Sequence, residues 1–173
     1  MEETKIMSAQ LKGLLISLIV IVLGIAGYYS DLAFSGWYNW VVNLIMFVAI
    51  IIACVHFANQ KLGYVTFGNV FMHGLKISAV VAIIILVYSF LSTTVLFPEV
   101  KEKAMEMQRI KMEEQGMDED KIEMGINFAK KYFMIFMTLG VIFGTMIFGC
   151  IASLIGAAIA KKKPMNPMNQ PGM

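Results

Sequence analysis

Apolar positions in this chain do not alternate with polar ones at the spacing of a soluble helix or strand; they run on without interruption. Four stretches contain no Asp, Glu, Lys or Arg: Gly13 to Tyr29, Trp37 to Ala58, Ile77 to Phe97 and Tyr132 to Ala160. The shortest has 17 residues, which is about the minimum that crosses a hydrocarbon core. The pattern predicts an all-α integral membrane fold with four transmembrane helices over about 13–29, 37–58, 77–97 and 132–160. The rival for the first run is a cleaved signal peptide. Its apolar length, the preceding Glu2 and Glu3, and the lack of a clean small-x-small site favour a span.

The flanks refine each span. Trp37, Tyr38 and Trp40 open the second run, and their amphipathic rings favour the headgroup level. Pro98 is expected to end or kink the third. The fourth run would be about 43 Å long as a helix, against about 30 Å of hydrocarbon. Because Ile122, Ile126, Ala129 and Phe133 continue its apolar spacing, it is expected to leave the membrane as one continuous helix.

The charged residues fall mostly between these runs. From 98 to 131 acids and bases mix with Met and Ile, and Gln115-Gly116-Met117-Asp118 reads as a helix stop followed by a start. Gly116 suits a left-handed position and Asp118 an N-cap, so the segment is expected to form a helical hairpin outside the membrane. It reads either as a solvated helix pair or as a partner-binding surface. The connection from Asn59 to Gly74 is too short and polar to span. Thr66 would cap a short interfacial helix that turns into span three near Gly74. The tail, 164–173, has three prolines and no periodicity and is expected to be disordered.

Composition agrees with this division and narrows it. Hydrophobic residues make up 58% and charged residues 15% of the 173 positions, too apolar for a soluble domain. A net charge of +2 leaves no large basic surface, so a nucleic-acid partner is not expected. Lys and Arg divide seven and seven between the two sides of a four-span topology, a tie that the nine acids of the 98–131 segment cannot break. Around the first span, Lys5 and Lys12 precede it, whereas the following loop has Asp31 and no base. Both termini are therefore expected in the cytoplasm.

Little in the runs points to chemistry. With no fixed charge in any of them, ion-coupled transport is disfavoured, while a carrier of neutral solutes survives. Asn39, Asn43, Thr138 and Thr145 are the polar groups that could bond between helices or contact a solute. His56 and His73 have no further ligands at zinc spacing, and Cys54 and Cys150 lie within spans, so neither a metal nor a disulfide is expected. Met105, Met107, Met112, Met117 and Met124 invite a copper(I) reading, but neighbours two apart on a helix point in different directions. No catalytic grouping stands out, so neither an enzyme nor a cofactor is expected.

What the spans offer is close packing. Gly140, Gly144, Gly149, Ser153 and Gly156 place small residues along span four, Gly74, Ser78 and Ala82 along span three, and Gly13, Ser17, Gly24 and Gly27 along span one. Such rows let backbones approach in lipid, within the chain or against another copy or protein. Lys161, Lys162 and Lys163 would anchor the end of span four at the headgroups, with Trp37 and Trp40 marking an interface.

The stretch GYVTFGNVFMHGLKIS resembles the Gly-Tyr-x-[Ser/Thr]-Phe-Gly-x-x-Phe-x-x-Gly signature of a bacterial four-span membrane family, domain of unknown function 4199. The Phe97-Pro98-Glu99 step, the Gly116-Met117 break and the last span closing on lysines are similar to that family too. The resemblance implies four helices in a bacterial envelope membrane and brings no activity, ligand or catalytic residue; His73 departs from the family pattern. The expected function is that of a non-enzymatic inner-membrane protein, an assembly or partner-binding subunit, with a small carrier or channel for a neutral solute, alone or as an oligomer, as the alternative.

Overall fold

A computed structural model describes residues 7–163. The expected disordered tail at 164–173 lies outside the described residues. Among those described there is no strand.

The chain forms α1 (Ala9–Tyr29), a 3-10 turn (Leu32–Phe34), α2 (Gly36–Gln60), α3 (Phe67–Leu91), a π-helical segment (Ser92–Leu96), α4 (Glu99–Glu114) and α5 (Glu119–Ile159). Among the described residues, four helices are long and apolar enough to cross a membrane: Ala9–Tyr29, Gly36–Gln60, Phe67–Leu96 and Glu119–Ile159. At 1.5 Å per residue the 41-residue α5 is about 60 Å long, roughly twice a hydrocarbon core.

Helix boundaries follow hydrogen-bond supply, and they differ from the edges of the apolar runs. Ser8 Oγ accepts from Leu11 N at 3.2 Å, so α1 begins before Lys12 rather than after it. Thr66 Oγ1 accepts from Asn69 N at 3.1 Å and starts α3, which passes through Gly74 without a break. The separate interfacial helix expected before Gly74 is thus the first turns of α3. The irregularity assigned to Pro98 lies ahead of it. A proline disfavours helical geometry in the residue before it and blocks the carbonyl four back. The turn instead widens, with Phe97 N bonding Ser92 O at 2.7 Å, five residues back. Thr93 and Thr94 cover nearby carbonyls, of Ser89 at 2.9 Å and Phe90 at 2.7 Å.

Contacts divide the chain into two compact units, Met1–Ile84 with Gly144–Met173, and Ile85–Phe143. In the first, the core is made of small and branched residues: Ile50, Cys54, Ala58, Val70, Ile77, Val81, Ala152 and Ala157 are buried. Three buried serines each donate to a glycine carbonyl one turn back: Ser17 to Gly13 at 2.7 Å, Ser78 to Gly74 at 3.0 Å and Ser153 to Gly149 at 2.6 Å. The hydroxyl is thereby satisfied inside its own helix, so each Gly-Ser pair presents a flat, polar-neutral face to a neighbour.

In the second unit, α4 turns into α5 through Gly116, whose φ of 70° is left-handed. The Arg109 guanidinium meets both Glu113, at 3.0 Å, and Glu119 across the turn. The hydrogen bond to Glu113, then Glu119, holds that guanidinium further toward its charged form. The Asp118 carboxylate pairs with Lys121 Nζ at 2.7 Å, while its carbonyl accepts from Ile122 N at 3.0 Å.

Candidate functional site

Span-four residues singled out in the sequence separate into two sets. A Cβ added to Gly149 would overlap the Ser78 side chain, and one added to Gly74 would overlap Ser153 and come within 2.7 Å of Cys54 Sγ. α3 and α5 therefore cross with reciprocal glycine–serine contacts, 74 against 153 and 78 against 149. At Gly156 a Cβ would stand 2.6 Å from Cys54 Cβ, which closes α5 onto α2. Gly140 and Gly144 differ: a Cβ at either meets nothing within 4 Å among the described residues.

The aromatic positions also divide. Trp37 and Trp40 are exposed, and Trp40 meets Phe148 edge-on at 6.2 Å. Tyr38, between them in sequence, turns inward over Gly27 and donates to Leu23 O at 2.7 Å, tying α2 to α1. Asn39 and Asn43 bond locally, to Ala33 O at 2.9 Å and Asn39 O at 2.8 Å, rather than between spans. Lys163 N donates to Gly63 O at 2.9 Å. Lys162 Nζ donates to Ala157 O at 2.5 Å and lies 5.3 Å from the Phe67 ring, and Lys163 Nζ lies 5.4 Å from Tyr64. Lys161 is exposed beside them.

A grouping that sequence reasoning missed lies at this same end of the first unit. Lys12 is only 4% exposed. Its ammonium reaches Ala53 O at 3.2 Å, Gln60 Oε1 at 3.4 Å and His73 Nε2 at 3.4 Å. An ammonium carries three donors and no acceptor, and here each donor has a partner. The His73 ring stacks on Phe57 with centroids 3.9 Å apart, and Lys12 Nζ stands 5.7 Å from the Phe57 centroid. The absence of fixed charge from the apolar runs therefore does not extend to the helices: α1 includes Lys12, and α3 includes Lys76. The available sequence signal was Lys12, Phe57 and Gln60 each lying within a turn of a predicted span end.

His73 is also on the wall of a cleft of about 660 Å³. Its lining includes the polar Ser8, Gln10, Lys61, Asn69 and Lys76 and the apolar Met72, Ala79 and Val80. His56, by contrast, is exposed on α2.

These features define a class: among the described residues, an all-helical protein with four membrane-span-like helices, two of which cross at glycine–serine contacts. A family model described as "Protein of unknown function (DUF4199)" matches residues 11–162, and the chain belongs to that family. No curated protein and no solved structure matches it.

Proposed function

We propose that the protein is a non-enzymatic subunit of the bacterial inner membrane that assembles with another membrane protein through α5. The observation that carries this reading is the division of one helix into filled and unfilled small-residue positions. Gly149 and Gly156 are occupied by Ser78 and Cys54, whereas Gly140 and Gly144 have open Cβ positions among the described residues. Helices in lipid associate by such close approach, since burying apolar side chains gives no hydrophobic gain there. The intended occupant is a transmembrane helix of a partner. Both termini lie in the cytoplasm and α4 with the start of α5 outside, a reading supported by the lysines gathered around Gly63 and Gln60.

Crosslinking with mass spectrometry in native membranes tests the assembly. A heterologous partner in stoichiometric amount is expected, lost in Gly140→Leu and Gly144→Leu variants that still fold. Crosslinks to copies of this chain alone would instead support the second reading, a small oligomeric carrier or channel. That alternative is favoured by one observation, the polar Lys12–His73 network within helices of spanning length.

A further inference from the structure

The first unit gathers positive charge at one end. Lys12, Lys61, Lys76 and the Lys161–Lys163 run all belong to it, while its one described acid, Asp31, lies beyond the opposite end of α1. The buried Lys12 ammonium lies within hydrogen-bond distance of Ala53 O, Gln60 Oε1 and His73 Nε2, and no carboxylate pairs with it among the described residues. Burial of a charge is costly unless an opposite charge is close. The cleft supplies a place for one. Its wall includes His73 and Phe57, which both lie against Lys12, and Lys61 and Lys76 line it too. Asn69 adds a side-chain amide donor to the wall.

Part of the apolar lining selects the carrier of that negative charge. Ala79 and Val80 follow Lys76 along a helix of spanning length, so an occupant with a charged group and an apolar chain matches the lining. An acidic peptide or a nucleic acid would suit the lysines but not these apolar residues. We propose that the cleft binds an anionic phosphate ester, the headgroup of an anionic phospholipid, with Lys61 and Lys76 contacting the phosphate and the acyl chains lying along Ala79 and Val80. Lys12 acts behind them through its field and does not touch the phosphate. This goes beyond the assembly reading, because the cleft involves neither Gly140 nor Gly144.

The test uses the full chain in a neutral detergent, with thermal unfolding followed during titration with phosphatidylglycerol, phosphatidylcholine or inorganic phosphate at constant ionic strength. Phosphatidylglycerol is expected to raise the melting temperature and phosphatidylcholine to leave it unchanged. Lys61 is half-buried and Lys76 exposed, so K61Q/K76Q should fold with its unliganded melting temperature preserved. Its half-saturating lipid concentration should rise about thirtyfold, the loss of two lysine–headgroup attractions. A K161Q/K162Q/K163Q variant should keep most of the response. If inorganic phosphate alone reproduces a shift that depends on Lys61 and Lys76, the anion site stands and its source is free phosphate. An undiminished response in K61Q/K76Q, an equal response to phosphatidylcholine, or loss only in the triple variant would each overturn the proposal.

Discussion

Two glycines that look alike in the sequence have opposite consequences when given a side chain. Gly149→Leu drives a side chain into Ser78 at the α3–α5 crossing, where overpacking costs about 1–3 kcal/mol, and the melting temperature in detergent should fall accordingly. Gly144→Leu enters open space and improves helix propensity by up to about 0.8 kcal/mol, so the same measurement should show no loss. Each belongs to a pair of small residues spaced by four, Gly140 with Gly144 and Gly149 with Ser153, and that spacing was legible. Which of them has a neighbour depends on Ser78, 71 residues away from Gly149, and no local pattern carries that. Lys12 was misplaced for a related reason. A charge ends an apolar run, so it is read as a flank, yet its burial is decided by Ala53 O and His73. Lys12→Ala would strip the partner from Gln60 Oε1 and His73 Nε2, costing about 1–3 kcal/mol, whereas Lys76→Ala, exposed, should stay within about 0.5 kcal/mol. Parallel thermal melts compare the two.

At the scale of elements, the four long helices were legible because a bilayer leaves the backbone few alternatives to a continuous helix. Their ends were less so. Apolar runs report where the chain meets hydrocarbon, while helices begin where a side chain can satisfy the first amides, at Ser8 and Thr66. The stop before α5 was readable from Gly116 because its conformation is a local property: φ of 70° penalises any Cβ. Replacing Gly116 by Ala should therefore destabilise the α4–α5 turn by about 1–2 kcal/mol, the cost of left-handed geometry for an L-residue. Faster hydrogen exchange over 109–121, with the amides of α2 unaffected, is the expected readout. The widened turn at 92–97 was only half legible, since Pro98 announces a disruption but the carbonyls it displaces lie upstream.

For the whole molecule, the Lys and Arg count is even on the two sides of a four-span topology, so orientation has to come from how those charges are held. In the first unit Lys12, Lys61, Lys76 and Lys161–Lys163 are brought together by the Lys12–Gln60 bond, the Lys163–Gly63 bond and the cleft that Lys61 shares with Lys76. In the second, Arg109 is neutralised by Glu113 and Glu119 and Lys121 by Asp118. A bare lysine cluster close to span ends is attracted to an anionic leaflet, at about 1 kcal/mol per lysine, while a paired base has its charge already compensated. Acids contribute little to the insertion rule itself; the attraction acts on the finished fold and holds it in place. Alkaline phosphatase, active only outside the cytoplasm, should therefore be active when fused at Gln115 and inactive when fused after Lys163. The reverse pattern would invert the topology. Removing charge makes a graded test: a K61Q/K76Q/K161Q/K162Q/K163Q chain should show measurable activity at the second fusion site if those lysines hold their end inside, and none if the first span alone dictates orientation.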